Sequence, residues 1–194
     1  MYDLFYNNGQ NERKEAGTLK VLSLFSGCGG MDIGLEGGFI CHQNSVTNLD
    51  WVHHQINRNW VLLQRNLFRT VFACDILEEA RLTWLHYMSR YKITPDIYHL
   101  NSIVDLVKLH KEGGLNVFPT NIDIVTGGFP CQDFSVAGKR RGFNSSVSHN
   151  GKKREKDEPS EQTRGKLYMW MKEVIDIVQP KMFIAENVKG LVSL

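Results

Sequence analysis

Short apolar runs alternate with longer amphipathic stretches along most of the chain. Five runs have the length and the apolar content of buried strands. They are residues 19–25, 70–74, 97–100, 121–126 and 182–185. Four stretches repeat apolar residues at helical spacing. They are residues 31–36, 76–90, 103–110 and 167–178. This alternation predicts an α/β fold with a Rossmann-like, doubly wound, mostly parallel sheet.

The segment 41–68 shows neither pattern clearly. It is rich in asparagine and mixes polar and aromatic residues without a sustained period. We interpret it as an irregular insertion with some helix between the first two strands. A second polar stretch, residues 144–164, predicts a long loop that is either a surface insertion or a functional lid.

Composition limits the class of protein. The chain has 194 residues, 42% of them hydrophobic, which suits one domain with a sizeable core. No apolar run approaches the roughly 20 residues of a membrane span, and residues 1–18 form a polar lead-in without a secretory signal. We therefore expect a cytoplasmic protein, with a domain over residues 19–194. The net charge of +2 selects no class of partner by itself.

The four cysteines predict thiol chemistry rather than a metal site. Cys28, Cys41, Cys74 and Cys131 have no CxxC spacing, and no histidine pair lies at a zinc-finger interval. We expect four reduced thiols, three packed as small hydrophobic side chains and one reactive.

A glycine-rich loop follows the first predicted strand. Gly27 and Gly29 allow a tight turn and a close backbone approach to a ligand. Asp32 stands where a dinucleotide-binding loop has its third glycine, and its charge would repel a pyrophosphate. This favours a nucleoside cofactor without phosphates, such as S-adenosylmethionine, with Asp32 near its cationic end. A purely structural turn is the alternative.

Ligands of open α/β sheets lie at the carboxyl ends of the strands. Asp75 ends the second predicted strand, where a carboxylate can accept ribose hydroxyls while Ile76 packs on adenine. A helix cap explains Asp75 equally well. Asp50, followed by Trp51, is the second candidate for the ribose.

The strongest local signal surrounds Cys131. Pro130 stiffens the chain after the strand that ends at Gly127 and Gly128, and we expect these glycines to clear space for a substrate. Cys131 is therefore a candidate nucleophile. A cysteine–histidine hydrolase stays open, although the nearest histidine, His149, lies in the polar loop.

Two further features accompany this thiol. Three successive cations between glycines, in residues 138–142, predict either a phosphate-contacting segment or a solvated face. Glu186 ends the last predicted strand, where a carboxyl group can bind the edge of a heterocycle or cap the next turn.

These segments together resemble the cytosine-C5 DNA methyltransferases. FSGCGGMDIGLEGGF, VFACDILEEA, DIVTGGFPCQDFSVAGKRRGF, RGKLY and AENVKGL are similar to the first, second, fourth, fifth and sixth motifs of that family. The resemblance runs from about Leu19 to Leu194. It implies a methyltransferase that uses S-adenosylmethionine to methylate C5 of a flipped cytosine in double-stranded DNA, as part of a restriction-modification system.

The resemblance also assigns roles to residues. Cys131 would add to C6 of the cytosine, and Glu186 would hold N3 and the amino group. The residues that would bind the cofactor are Phe25, Gly27, Gly29, Gly30, Asp75, Ile76, Ser102 and Leu167. Ser102 stands where the family has an acid that reads adenine. The residues that would bind the substrate are Pro130, Gln132, Ser135, Lys139, Arg140, Arg141 and Asn187.

The family's later motifs lie beyond the matched residues. Leu194 comes eight residues after Glu186, so the arginine-bearing motif and the target-recognition region are missing. We therefore expect a fold that is incomplete at its carboxyl end and a second polypeptide that carries target recognition. The alternatives are an inactive cofactor-binding fragment, a DNA-interacting module without activity, and an RNA cytosine-C5 methyltransferase.

Overall fold

The computed structural model describes residues 17–131, 147–150, 152 and 163–192. Most of the polar lead-in and of the loop 144–164 lies outside these residues. Five of the predicted substrate-binding residues also lie outside them, namely Gln132, Ser135, Lys139, Arg140 and Arg141.

Eight strands and four α-helices make up the described chain. In order they are β1 (Leu19–Leu24), α1 (Gly30–Glu36), β2 (Ile40–His42), β3 (Val52–Gln55), β4 (Trp60–Leu63), β5 (Phe68–Asp75), α2 (Glu78–Met88), β6 (Tyr98–Leu100), α3 (Ile103–Lys111), β7 (Ile124–Gly128), α4 (Leu167–Val178) and β8 (Met182–Glu186). The longest of these helices, α4, has 12 residues, and no helix in the described residues could cross a membrane.

The main sheet has five parallel strands in the order β6-β5-β1-β7-β8. From β1 the chain builds outward through β5 and β6, then returns to the other side of β1 for β7 and β8. This reversal between β1 and β7 confirms the predicted doubly wound sheet. The carboxyl ends of all five strands share one edge, called here the carboxyl edge, and ligands of such sheets lie there.

Helices cover both faces of this sheet. On one face, α3 and α4 pack on Leu22, Phe72 and Val125. On the other, Trp84 and Met88 of α2 pack against β5 and β6. Burial on both faces explains why the inner strands read as continuous apolar runs. The outer strand β8 is exposed along its whole length.

The prediction of an irregular conformation for residues 41–68 was wrong, although the segment is an insertion between two neighbouring strands of the main sheet. Strands β2, β4 and β3 form a separate antiparallel sheet. Two single 3₁₀ turns, Gln43–Ser45 and Leu49–Trp51, lie between β2 and β3, and the segment contains no α-helix. Its strands have three or four residues each, too short for an alternating pattern to stand out. Pairing between the strands, which depends on distant residues, decides their conformation.

A buried carboxylate attaches this small sheet to the main one. Glu36, at the end of α1, is fully buried and accepts hydrogen bonds from Arg65 at 3.1 Å, from Arg69 at 3.0 Å and from the Thr70 amide at 2.7 Å. The Leu19 amide donates to the Leu67 carbonyl at 2.9 Å. The small sheet is therefore attached at the amino ends of β1 and β5, opposite the carboxyl edge.

Candidate functional site

The glycine-rich loop leaves β1 in an unusual backbone conformation. Phe25, Gly27 and Gly29 all have positive φ, at 53°, 51° and 87°. Such values cost a residue with a side chain about 1–2 kcal/mol, so Phe25 is held by its surroundings. The Ser26 amide donates to the Cys74 carbonyl at 2.9 Å, and the Ser26 hydroxyl accepts from the Cys74 amide at 3.1 Å. The loop is thereby tied to the end of β5.

Gly27 is held from both sides. Its amide donates to Asp75 Oδ2 at 3.0 Å, and its carbonyl accepts from the Tyr98 hydroxyl at 3.2 Å. The other Asp75 oxygen, Oδ1, accepts from the amides of Ile76 at 2.7 Å and Leu77 at 3.1 Å. A carboxylate oxygen can accept two hydrogen bonds. Oδ2 therefore retains capacity for one ligand hydroxyl, while Oδ1 is filled by the turn that leads into α2.

Asp32 lies beneath this loop and not beside its ligand-facing side. It is 1% exposed, and the Trp84 indole donates to Asp32 Oδ2 at 2.6 Å. Burial raises the pKa of Asp32 to about 6, against the lowering effect of hydrogen bonds from Ser23 and Trp84. A Cβ atom on Gly29 would come 2.7 Å from Trp84 Cδ1. The expectation that Asp32 meets the cationic end of a cofactor was wrong, because its partner is the indole.

An apolar rim extends from Asp75 along the carboxyl edge. Ile76 and Leu77 follow β5 and are 40% and 56% exposed, and Leu100 at the end of β6 is 41% exposed. Apolar side chains exposed beside a few polar groups are typical of small-molecule sites. Ser102 comes next, is 5% exposed, and caps α3 by accepting from the Val104 amide at 3.3 Å.

Three other candidates for cofactor binding have different surroundings. Gly30 is the first residue of α1, and a Cβ atom there would meet nothing within 4 Å. Leu167, the first residue of α4, is 3% exposed and packs in the main core. Asp50 lies in a 3₁₀ turn of the small antiparallel sheet, away from the carboxyl edge.

The candidate nucleophile follows β7 directly. Cys131 is partly exposed, and the segment before it is fixed by Asn187, whose Nδ2 donates to the Phe129 carbonyl at 2.8 Å. Asn187 Oδ1 accepts from the Val188 amide at 2.9 Å. Asn187, which the sequence predicts to bind substrate, therefore also links the Pro130–Cys131 segment to the chain after β8.

Glu186 ends β8 beside this segment. It is exposed and pairs in register with Gly128 of β7. A Cβ atom on Gly128 would lie 3.3 Å from Glu186 Oε2, and one on Gly127 would lie 2.9 Å from the sulfur of Met171. The two glycines thus make room for Glu186 and for the core, a use that the sequence analysis did not foresee. Cys131 and Glu186 come at the carboxyl ends of adjacent parallel strands.

The cysteines differ in exposure. Cys74 is 1% exposed, and burial raises the pKa of its thiol to about 12, which makes it inert at neutral pH. Cys28 is exposed in the glycine-rich loop and Cys41 is partly exposed, so the expectation of three packed cysteines holds only for Cys74.

Two residues of the site have no signal in the sequence that marks them as such. Tyr98 lies 71 positions from Gly27, and Trp84 lies 52 from Asp32. Each reads locally as an ordinary core aromatic residue. His149 is the histidine nearest Cys131 in sequence, but its Nδ1 lies 2.8 Å from Ser102 Oγ. No local pattern predicts such contacts.

The strand order, the glycine-rich loop and the acid at the end of β5 define a Rossmann-like fold of the methyltransferase class. The sequence profile of C-5 cytosine-specific DNA methylases matches residues 19–194. The chain belongs to this family.

Curated relatives agree with this assignment. Type II methyltransferase M.PspPI of Psychrobacter sp. is 32% identical over 88% of the chain and 27% of its own length. Type II methyltransferase M.BsuRI of Bacillus subtilis is 28% identical, with coverages of 91% and 33%. DNA (cytosine-5-)-methyltransferase M.ApeKI of Aeropyrum pernix is 30% identical, with coverages of 89% and 29%. The chain thus spans about a third or less of these relatives.

Proposed function

We propose that this chain is the cofactor-binding and catalytic part of a DNA (cytosine-5-)-methyltransferase of a restriction-modification system. The observation that carries the proposal is the pair Cys131 and Glu186 at the ends of adjacent strands β7 and β8, inside the matched residues. The family description and the name of the relative M.ApeKI, a DNA (cytosine-5-)-methyltransferase, support DNA as the substrate.

The residues at the carboxyl edge fit S-adenosylmethionine. The glycine-rich loop, from Phe25 to Gly30, presents backbone without bulky side chains, and Asp75 Oδ2 has capacity for one ribose hydroxyl. Ile76 and Leu100 offer exposed apolar surface for the base, next to Ser102. When bound, S-adenosylmethionine supplies an electrophilic methyl group. Leu167 would contribute to the cofactor site indirectly, because it lies in the core and holds the start of α4 against the sheet.

Cys131 and Glu186 divide the work on a flipped cytosine. The Cys131 thiolate forms a bond to C6, and the electron pair of the 5,6 double bond becomes available at C5. Glu186, with its carboxyl group protonated, donates to N3 and accepts from the exocyclic amine, and its proton offsets the negative charge that this addition places on the ring. After C5 is methylated, loss of the C5 proton to a base and departure of the thiolate restore the double bond. Asn187 and Pro130 keep the segment that carries Cys131 in place.

The residues proposed to contact DNA lie outside the described part of the chain. Gln132, Ser135, Lys139, Arg140 and Arg141 would contact the flipped base and the phosphates beside it. Selection of the target sequence would need the greater length that the relatives possess, on the same or on a second polypeptide. As part of a restriction-modification system, the enzyme would act on DNA in the cytoplasm.

The experiment is covalent trapping on duplex DNA that contains 5-fluorocytosine. Fluorine at C5 cannot leave as a proton does, so the adduct between the thiol and C6 persists after methylation. We expect a denaturation-resistant complex that requires S-adenosylmethionine. The duplex should carry fluorocytosine in many sequence contexts, because the recognition sequence is unknown, and a longer form of the protein should be tested in parallel.

Variants separate the proposed thiol from the other cysteines. Cys131→Ala should abolish the adduct, whereas Cys41→Ser, at a partly exposed cysteine of the small sheet, should retain it. An adduct that survives in Cys131→Ala would refute the assignment of the nucleophile. Cofactor binding without any adduct in either form would favour a cofactor-binding module without activity, and an adduct on RNA alone would favour an RNA methyltransferase.

A further inference from the structure

A hydrogen bond joins two distant segments at the carboxyl edge. His149 Nδ1 lies 2.8 Å from Ser102 Oγ, 47 positions away in sequence. The same oxygen accepts from the Val104 amide at 3.3 Å and so caps α3. In the neutral ring, either Ser102 Oγ donates to an unprotonated Nδ1 or a protonated Nδ1 donates to Ser102 Oγ.

The surroundings of His149 favour this neutral ring. Burial lowers the pKa of His149 below its ordinary value, the Asp105 carboxylate acts in the opposite direction, and the Lys108 cation adds to the lowering. At neutral pH the imidazole is therefore uncharged, with one ring nitrogen protonated and the other carrying a lone pair.

His149 belongs to a small backbone structure, called here the clasp, formed by residues 147–149 with residues 163 and 164. Ser148 and Thr163 form an antiparallel bridge, and the Arg164 amide donates to the Val147 carbonyl at 2.8 Å. Thr163 is fully buried. The single turn Arg164–Lys166 then leads into α4. The clasp consequently connects the amino terminus of α4 to that of α3.

The position of the clasp relates it to the cofactor site. In a parallel sheet each helix starts where the preceding strand ends, so α3 begins beside Leu100 at the carboxyl edge. Leu100 and Ile76 are exposed apolar residues of this edge, and Ser102 follows Leu100 by two residues. The His149–Ser102 bond therefore fastens the clasp next to the surface proposed for the base of the cofactor.

We propose that His149 is a positioning residue of the cofactor site, which holds the clasp against the start of α3 and so forms the outer wall of the nucleoside end. This inference rests on the proposed function, because it needs S-adenosylmethionine at the carboxyl edge. A wall held in place before binding slows escape of the ligand and spares the cost of ordering it. His149 then acts mainly on the dissociation rate.

The test compares binding of S-adenosylmethionine to the wild-type chain and to variants, by calorimetry and by stopped-flow fluorescence. His149→Ala should weaken binding about fivefold, mostly through faster dissociation, which is the effect of losing one net hydrogen bond at 1.4 kcal/mol per tenfold. His149→Asn should restore affinity to within about twofold, because its amide can accept from the Ser102 hydroxyl or donate to it in place of Nδ1.

Three further variants complete the design. Ser102→Ala should weaken binding at least as much as His149→Ala, because it removes the cap of α3 as well as the bond to His149. Adding His149→Ala to Ser102→Ala should weaken binding no further, since the shared bond is already lost. His86→Ala, on the exposed surface of α2, serves as the matched control and should bind like the wild type.

Each failure has a separate meaning. If the wild type binds and His149→Ala binds equally well, the role of His149 is overturned while the proposed function stands. If His149→Asn is as weak as His149→Ala, the bond to Ser102 is not the cause and the inference also fails. If the wild type does not bind S-adenosylmethionine, the proposed function is refuted and this inference falls with it.

Discussion

Gly29→Ala should destabilise the chain even in the absence of any ligand. Gly29 has φ of 87°, which costs an alanine about 1–2 kcal/mol. The new Cβ would lie 2.7 Å from Trp84 Cδ1, well inside the ordinary contact distance. Trp84 is fully buried, and its indole is fixed by Asp32 at 2.6 Å and by an edge contact with Tyr98 at 5.1 Å between ring centroids.

The magnitude follows from adding these effects. Forcing a methyl group into a packed site costs about 1–3 kcal/mol, and replacing glycine returns about 0.4–1 kcal/mol by restricting the unfolded chain. We expect the free energy of unfolding to fall by about 2–4 kcal/mol. For a chain of this size each 1 kcal/mol shifts the midpoint by about 2–4 °C, so thermal unfolding should occur about 5–15 °C lower.

Urea unfolding monitored by tryptophan fluorescence measures this change, with thermal unfolding as a second readout. Gly34→Ala is the matched control, because Gly34 lies in α1, has no positive φ, and a Cβ atom there would meet nothing within 4 Å. We expect this control to be more stable by about 0.5–1 kcal/mol. A Gly29→Ala chain within about 0.5 kcal/mol of the wild type would refute the argument from φ and from Trp84 packing.

Two other predictions concern carboxylates near the same loop. Burial raises the pKa of Asp32 to about 6, so the charged form of its side chain is disfavoured in the folded state. The free energy of unfolding should therefore decrease as the pH rises from about 4 to about 6. In Asp32→Asn the free energy of unfolding should decrease by about 2–3 kcal/mol less over this pH range, because asparagine does not ionise. Urea unfolding that gives the same pH profile for both proteins would contradict the prediction. Asp75→Ala should weaken binding of S-adenosylmethionine by about tenfold in calorimetry, because it removes an acceptor for the ribose and frees Gly27. Asp50→Ala should not change the affinity, and the reverse result would point to Asp50 as the ribose ligand.

The strands and helices of the main sheet were predictable because each satisfies a local rule. The inner strands, buried on both faces, appear as apolar runs, and α4 matches its prediction from Leu167 to Val178. The glycines of the loop and the Pro130–Cys131 segment stand out because their backbone requirements limit the residue types. The small antiparallel sheet was missed because its three- and four-residue strands are defined by pairing with one another.

Asp32 illustrates the same limit at the site. From sequence it is an acid in the first turn of a helix after a glycine-rich loop, a position that faces a ligand in many folds. Its actual partner, Trp84, is 52 residues away and becomes a neighbour only when α2 packs on the sheet. The cost of burying a charge then turns a candidate ligand contact into a structural one with a raised pKa.

The doubly wound sheet, the glycine-rich loop, the strand-end acid and the Pro130–Cys131 segment can all be predicted from the amino-acid sequence, because periodicity and backbone restrictions are local properties. Which side chains meet depends on how the elements pack in three dimensions. This packing sets Glu186 beside Gly128, ties Gly27 between Asp75 and Tyr98, and brings His149 to Ser102. These contacts join residues 47 to 71 positions apart, and partners at such separations are fixed only by packing the elements together.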